Sequence, residues 1–299
     1  MIKYEKKDIS ITMNEDEKTA VSQGLELIKA EELIQNTSTV VIAPNWVNYK
    51  KPDSSSGVTV GTDTFSFILQ WIKKKKPERM IVGSGSGNGD TPGVMKALGY
   101  DRIIEKEGFE FVDFNTGPYI HLELNHSKPN KIKVNQVIKE MDVFISFTQL
   151  KFHEEATMSA AIKNMALTWP STEEQGAPKK DLGIHEDLHG FICSMTEKVP
   201  IHLSVVSANP AMVGSGPTKG IPKHTGIVVC GNNPIGVDTV CGRLLGFKSQ
   251  GIHYLYLLSQ KGIGESNIQQ LNIKGLSIQE AEKLFSQKVY GDHVIVDSE

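Results

Sequence analysis

Apolar residues along the chain follow two rhythms, short unbroken runs and stripes spaced three or four apart. The runs Val40-Val41-Ile42-Ala43, Met80-Ile81-Val82 and Val143-Phe144-Ile145-Ser146-Phe147 are rich in β-branched and aromatic residues. So are the runs from Phe109 to Phe114, Ile201 to Val206 and Gly226 to Cys230. Each predicts a buried strand. The stripe Val21, Leu25, Ile28, Leu33 predicts a helix over about 16–34, and Phe65, Ile68, Leu69, Ile72 a second, capped by Thr62 or Asp63. Ile103 and Ile104 fall in a helix ended by Gly108. Met158, Ala161, Ile162 and Met165 stand at i, i+3, i+4 and i+7, which predicts a helix over about 154–166 with Lys163 and Asn164 on its opposite side. Leu188, Phe191, Ile192 and Met195 place a helix over 182–196. Asn233-Pro234 opens another, which carries Val237, Val240, Cys241, Leu244 and Leu245 and closes at Gly246. Helices through Tyr254 to Leu258 and Ile278 to Phe285 follow.

Alternation of strand and helix predicts a layered α/β fold, with a largely parallel or mixed sheet and helices on both faces. Residues 1–299 read as a single unit, in one or two lobes. Residues 115–133 read as a small hairpin or flap, and the polar stretch 51–57 as an exposed loop. Residues 208–226 read as a long glycine-rich connection, a kind of loop that often carries function.

Composition narrows the classes. The net charge of −3 leaves no basic field for nucleic acid or an acidic membrane, and Lys73 to Lys76 reads as the solvated end of a helix stopping at Pro77. Cys193, Cys230 and Cys241 are far apart, so no iron–sulfur cluster or zinc ribbon is expected, and a reducing cytoplasm fits. Neither a secretory leader at Met1 to Glu5 nor a membrane-spanning run is expected.

Chemistry concentrates at Thr148-Gln149-Leu150-Lys151-Phe152-His153 and Ile162-Lys163-Asn164. The first segment follows the apolar run 143–147, so it is expected at the carboxyl end of a strand, where open α/β sheets bind ligands. Lys151, Lys163, His153 and Asn164 together point to a small anion, a carboxylate or phosphate. Gly83 to Pro92 reads as strand, glycine loop and helix, so Gly85 and Gly87 are candidates for an N–H cradle; a surface turn is the alternative. It has neither the P-loop lysine nor the dinucleotide-binding spacing. Gly214, Gly216 and Lys219 are candidates in the second glycine-rich segment. His185-Glu186-Asp187-Leu188-His189 matches H-E-x-x-H, but Asp187 and the residues that follow do not suit a zinc protease. His153, His185 and His189 remain candidates for a divalent metal.

Taken in order, these segments resemble the domain-of-unknown-function 362 family of prokaryotic proteins. Ala43-Pro44-Asn45 is similar to its lysine-proline-asparagine, and Lys151-Phe152-His153 with Ile162-Lys163-Asn164 to its central pattern. Gly214-Ser215-Gly216-Pro217 and Asn233-Pro234-Ile235-Gly236-Val237-Asp238 resemble its later motifs. The resemblance implies the same fold and a site at these positions, with Asn45 as a ligand contact. Ala43 stands for a lysine, and Ser207, Val213 and Asn233 stand where the family often has acids, so part of its acid–base or metal chemistry is in doubt here. The ferredoxin-like cysteine module of many relatives is missing.

Two functions follow as expectations. One is an enzyme acting on a small anionic metabolite. In it Lys151 and Lys163 bind or polarise the anion, His153 transfers protons near neutral pH, Asn45 and Asn164 orient it, and Asp238 orients His153 or accepts a lysine. The alternative for Asp238 is a charge at a helix N-terminus or a salt bridge. The other is a small-ligand or metal-binding protein without turnover.

Overall fold

A computed structural model describes residues 2–47 and 54–291. Part of the loop expected at 51–57 lies outside the described residues. The strands are β1 (Asp8–Met13), β2 (Thr39–Pro44), β3 (Arg79–Ser84), β4 (Glu110–Asp113), β5 (Tyr119–Glu123), β6 (Lys131–Asn135), β7 (Val143–His153), β8 (Thr157–Ser159), β9 (Leu203–Val213), β10 (Ile221–Lys223), β11 (Ile227–Gly231) and β12 (Asn272–Gly275). The helices are α1 (Glu17–Leu27), α2 (Thr62–Lys73), α3 (Thr91–Ala97), α4 (Tyr100–Glu107), α5 (Ala161–Thr168), α6 (Thr172–Gln175), α7 (Leu188–Thr196), α8 (Pro234–Leu244), α9 (His253–Gln260) and α10 (Ile278–Tyr290).

Ten strands form one mixed sheet in the order β12-β1-β11-β9-β7-β2-β3-β4, with β10 beside β9 and β8 beside β7. Pairing is parallel from β9 through β7, β2 and β3 to β4, and antiparallel where β11 meets β9 and β1. The fold class is therefore α/β with a mostly parallel sheet. Successive residues of a strand face opposite sides, and here both sides are covered. Val40, Ile42, Val143, Ile145 and Phe147 pack with Val21, Phe65 and Ile104 on the α1, α2 and α4 side. Val41, Ala43 and Phe144 pack with Ile162, Phe191 and Val240 on the α5, α7 and α8 side.

From β2 the chain winds outward to β3 and β4, then returns to β7 on the other side of β2. The connections leaving β2 and β7 diverge, which opens a crevice at the carboxyl ends of these strands.

Several boundaries differ from the sequence expectations. The central strand does not stop at Phe147 but runs to His153, because β9 and the short return strand β8 pair with its polar half. Thr148, Gln149 and Lys151 are buried there, so a search for apolar runs ends too early. The helix expected from residue 154 begins only at Ala161; Met158 of the supposed stripe lies on β8. The helix expected from 182 begins at Leu188, where the Asp187 carboxylate accepts the Gly190 N–H at 3.0 Å. The helix expected over 16–34 breaks after Leu27, with Lys29 at a φ of 52° and a separate turn of 3-10 helix at Ala30–Leu33. Residues 208–226 are no structureless loop: β9 continues to Val213 and β10 returns beside it. Within 115–133, β5 and β6 make a separate hairpin whose Ile132 joins the core.

Candidate functional site

Beyond the ends of β2, β3 and β7 lies a cavity of about 210 Å³. Asn45 and Trp46 follow β2, Gly85 and Gly87 follow β3, and Thr148 and His153 lie on β7. Lys163, Asn164 and Thr168 come from α5, Lys179 and His185 from the segment after it, and Pro217 from the turn between β9 and β10. Two lysines and two histidines therefore line it, and among its described lining residues there is no Asp or Glu.

Helix α5 is seated by polar contacts at three points. Asn164 donates from Nδ2 to the Ala43 carbonyl at 3.0 Å and to Ser146 Oγ at 3.1 Å. The Asp238 carboxylate accepts the N–H groups of Ala161 at 2.9 Å and Ile162 at 3.3 Å, and the Tyr254 hydroxyl at 2.8 Å. Lys179 Nζ donates to the carbonyls of Leu167 at 2.8 Å, Gly85 at 2.9 Å and Thr168 at 3.4 Å. Neighbouring Lys163 is thereby held on a fixed helix, yet its amine has no hydrogen bond or ion pair among the described residues.

Lys151 and Lys179 are buried in this region and Lys163 is half-buried, and removal from water weakens the ammonium form of each. Lys163 is lowered to about 8, with Glu155 pulling the other way, and Lys179 to about 7, opposed by Asp113. Lys151 is lowered far below its ordinary value by burial and then by Lys163. It does not line the cavity but sits beneath it, donating to Asn45 Oδ1 and to the Val58 carbonyl at 2.6 Å.

His153 Nδ1 accepts the backbone N–H groups of Glu155 and Ala156, each at 3.1 Å. The ring hydrogen therefore resides on Nε2. Burial, then Lys163 and Lys151, lower its pKa to about 2. His153 is thus a neutral N–H donor at physiological pH; the proton-transfer role expected of it there does not follow from this geometry. His185 Nδ1 pairs with Glu155 instead of a metal-ligand partner.

The remaining sequence candidates are placed as follows. The Gly85 N–H is taken by Thr168 Oγ1 at 3.0 Å and the Ser86 N–H by Thr91 Oγ1 at 3.0 Å, while Asp90 already caps α3 through Gly93 at 2.8 Å. The N–H groups of Gly85 and Ser86 are therefore not open to an anion, whereas Gly87 lines the cavity. Gly85 serves close packing: a Cβ would strike the Thr168 carbonyl. Gly216 packs on the Phe152 carbonyl in the same way, bringing Pro217 to the cavity, whereas Gly214 and Lys219 are exposed and do not line it. Asp238 lies at the start of α5 and makes no contact with His153 or a lysine; it is the helix-end charge of the two roles expected.

His185 and His189 do not share a helix face, since His185 precedes α7. His189 Nδ1 accepts the Tyr254 N–H at 3.2 Å and its ring lies 5.5 Å from His253. Among the described residues no group of three or more His, Cys, Asp or Glu is arranged to hold a metal ion. Asn233, where the family often has aspartate, accepts the N–H groups of Ile235 and Gly236 at 3.1 Å, a capping role that asparagine fills as well. Lys179 escaped the sequence reading because it lies in a Pro/Gly-rich stretch, and only the fold brings it to α5.

The sequence model described as a domain of unknown function (DUF362) matches residues 40–243. The thylakoid-associated protein sll1697 of Synechocystis sp. is 23% identical over 209 residues, covering 69% of this chain and 62% of that protein. The lactate racemase apoprotein of Thermoanaerobacterium thermosaccharolyticum is similar at a TM-score of 0.48 and 18% identity, over 78% of this chain and 56% of the other. This chain thus spans under two thirds of the length of either. Among the described residues no helix is long and apolar enough to cross a membrane.

Proposed function

This chain belongs to the DUF362 family, and from that premise we propose that its cavity binds a small anion, a carboxylate or phosphate, as the substrate of an enzyme. The lining carries the reading: two lysines and two histidines face a confined space with no Asp or Glu among its described lining residues, and the nearby Glu155 is engaged by Lys180 and His185. In such low-dielectric surroundings fixed positive charge acts strongly on an anion and on negative charge developing beside it. Lys163 supplies the charge. His153 offers its Nε2–H, and Asn45 offers a carboxamide N–H whose nearest described acceptor, Asn164 Oδ1, is 3.5 Å away. Lys151 fixes Asn45 from below. With a pKa near 8, Lys163 reaches both protonation states around neutral pH and is the group suited to proton transfer.

The lining also favours a second reading, a binding protein without turnover, since no carboxylate base stands among its described residues. Calorimetry with phosphate, acetate, lactate and malate tests the site. Binding of at least one, lost in Lys163→Met, is the expected result. No binding at millimolar concentration, or binding that Lys163→Met leaves intact, removes the proposal. Proton NMR of a bound carboxylate after long incubation separates the two readings.

A further inference from the structure

Resting on that anion-site reading, we propose that Lys163 is also a nucleophile, and that the cavity takes a small 2-oxo acid whose carbonyl forms an imine with its amine. The three lysines of this region differ in their bonding. Lys151 is held by Asn45 and the Val58 carbonyl, and Lys179 by three carbonyls. Lys163 alone of the three has no partner among the described residues, and it faces the cavity. Nothing there fixes its proton: the nearest acid, Glu155, is engaged by Lys180 and His185.

A lysine amine whose pKa is lowered by removal from water is the usual form of an imine-forming lysine. Burial lowers Lys163 to about 8, so the free base is accessible without a separate general base. The rigid seat of α5 removes the need to order the side chain's helix on binding. A cavity of about 210 Å³ has room for an acid of a few carbons, with its carboxylate toward His153 Nε2–H and Asn45.

The step balances without a further reactant. The Nζ lone pair attacks the carbonyl carbon, a C–N bond forms, and the carbonyl oxygen takes a proton to become hydroxyl. The C–O bond then breaks, water leaves with that oxygen, and the nitrogen keeps one hydrogen as a protonated imine. Overall, neutral amine, ketone and one proton give iminium and water.

The test is reductive trapping of the full chain with pyruvate, and separately glyoxylate, in the presence of cyanoborohydride, followed by peptide mapping. The expected result is one reduced adduct on the peptide containing Lys163, lost in Lys163→Arg and suppressed by excess acetate. Mapping of the unaltered protein needs no folded variant. Pyruvate that binds by calorimetry but leaves Lys163 unmodified overturns the imine while sparing the anion site. Absence of both binding and adduct sinks the pair together. Modification spread evenly over surface lysines also overturns the proposal.

Discussion

Asp238 and Lys179 close opposite ends of the same helix. The Asp238 carboxylate takes the first two N–H groups of α5, at Ala161 and Ile162, and the Lys179 amine takes the carbonyls of Leu167 and Thr168 at its end. Helix ends leave these groups unpaired, and the backbone dipole favours an anion at the start and a cation at the finish. Ala160, the residue before α5, has no side chain that could cap it, so the cap comes from α8 instead. An eight-residue helix is too short to be stable by itself, and two buried side chains from distant segments fix it where Lys163 must stand.

Asp238→Asn tests the first of these contacts. A carboxamide turns an NH₂ toward one of three donors, so the variant should lose about 1–2 kcal/mol in denaturant unfolding. Burial raises Asp238 to about 7 against the pull of Tyr254 and the two N–H groups. A folded pKa above the unfolded value of 3.8 means that the stabilising contribution is whole below that pH and is lost as pH rises through 7. The stability gap between wild type and variant should therefore narrow from pH 5 to pH 8. A gap that stays constant over that window rules out a raised carboxyl.

Lys179→Met tests the other end and has the opposite slope. It strips the partner from three carbonyls and should cost about 2 kcal/mol near pH 7. Burial lowers the folded pKa of Lys179 from 10.5 to about 7, so the unfolded chain binds more protons above pH 7 and the wild type gains stability as pH rises. The gap to Lys179→Met should widen between pH 7 and pH 9. A gap that stays flat over that window means that the carbonyls hold the amine as an ammonium and that burial does not lower its pKa.

What could be read from the sequence follows from which interactions are local. Val40 to Ala43 and Val237 to Leu245 announce themselves because both faces of a strand, or one stripe of a helix, are apolar. Thr148 to His153 stands out in the sequence for its polar side chains but not as strand, since its burial depends on β8 and β9 pairing from outside. The glycines at 85 and 216 looked like parts of anion loops; their conformations instead let the backbones of Thr168 and Phe152 approach. His185 and His189 matched a helical motif because the sequence hides where α7 begins, which the Asp187 cap decides. Lys179 could not be linked to α5 at all, because a long-range hydrogen bond to backbone carbonyls carries no local pattern.

Lys163→Met should leave the protein more stable and unable to bind its anion. At pH 7 the folded wild type holds an ammonium that burial disfavours and no described residue pairs. A methionine of similar length removes that penalty and fills the same space, so unfolding free energy should rise by about 1 kcal/mol or more, the trade between stability and activity common at functional sites. The sign of the pH dependence is fixed by the lowered pKa. Above pH 8 the folded lysine is already neutral while the unfolded one is still charged, so the wild type gains stability and the advantage of the variant should shrink toward pH 9. Affinity for phosphate or carboxylate in the wild type should fall across the same interval as the ammonium is lost. A Lys163→Met protein less stable than wild type at pH 7 would show that the amine supports the fold, and its place as the charged group of the site would have to be given up.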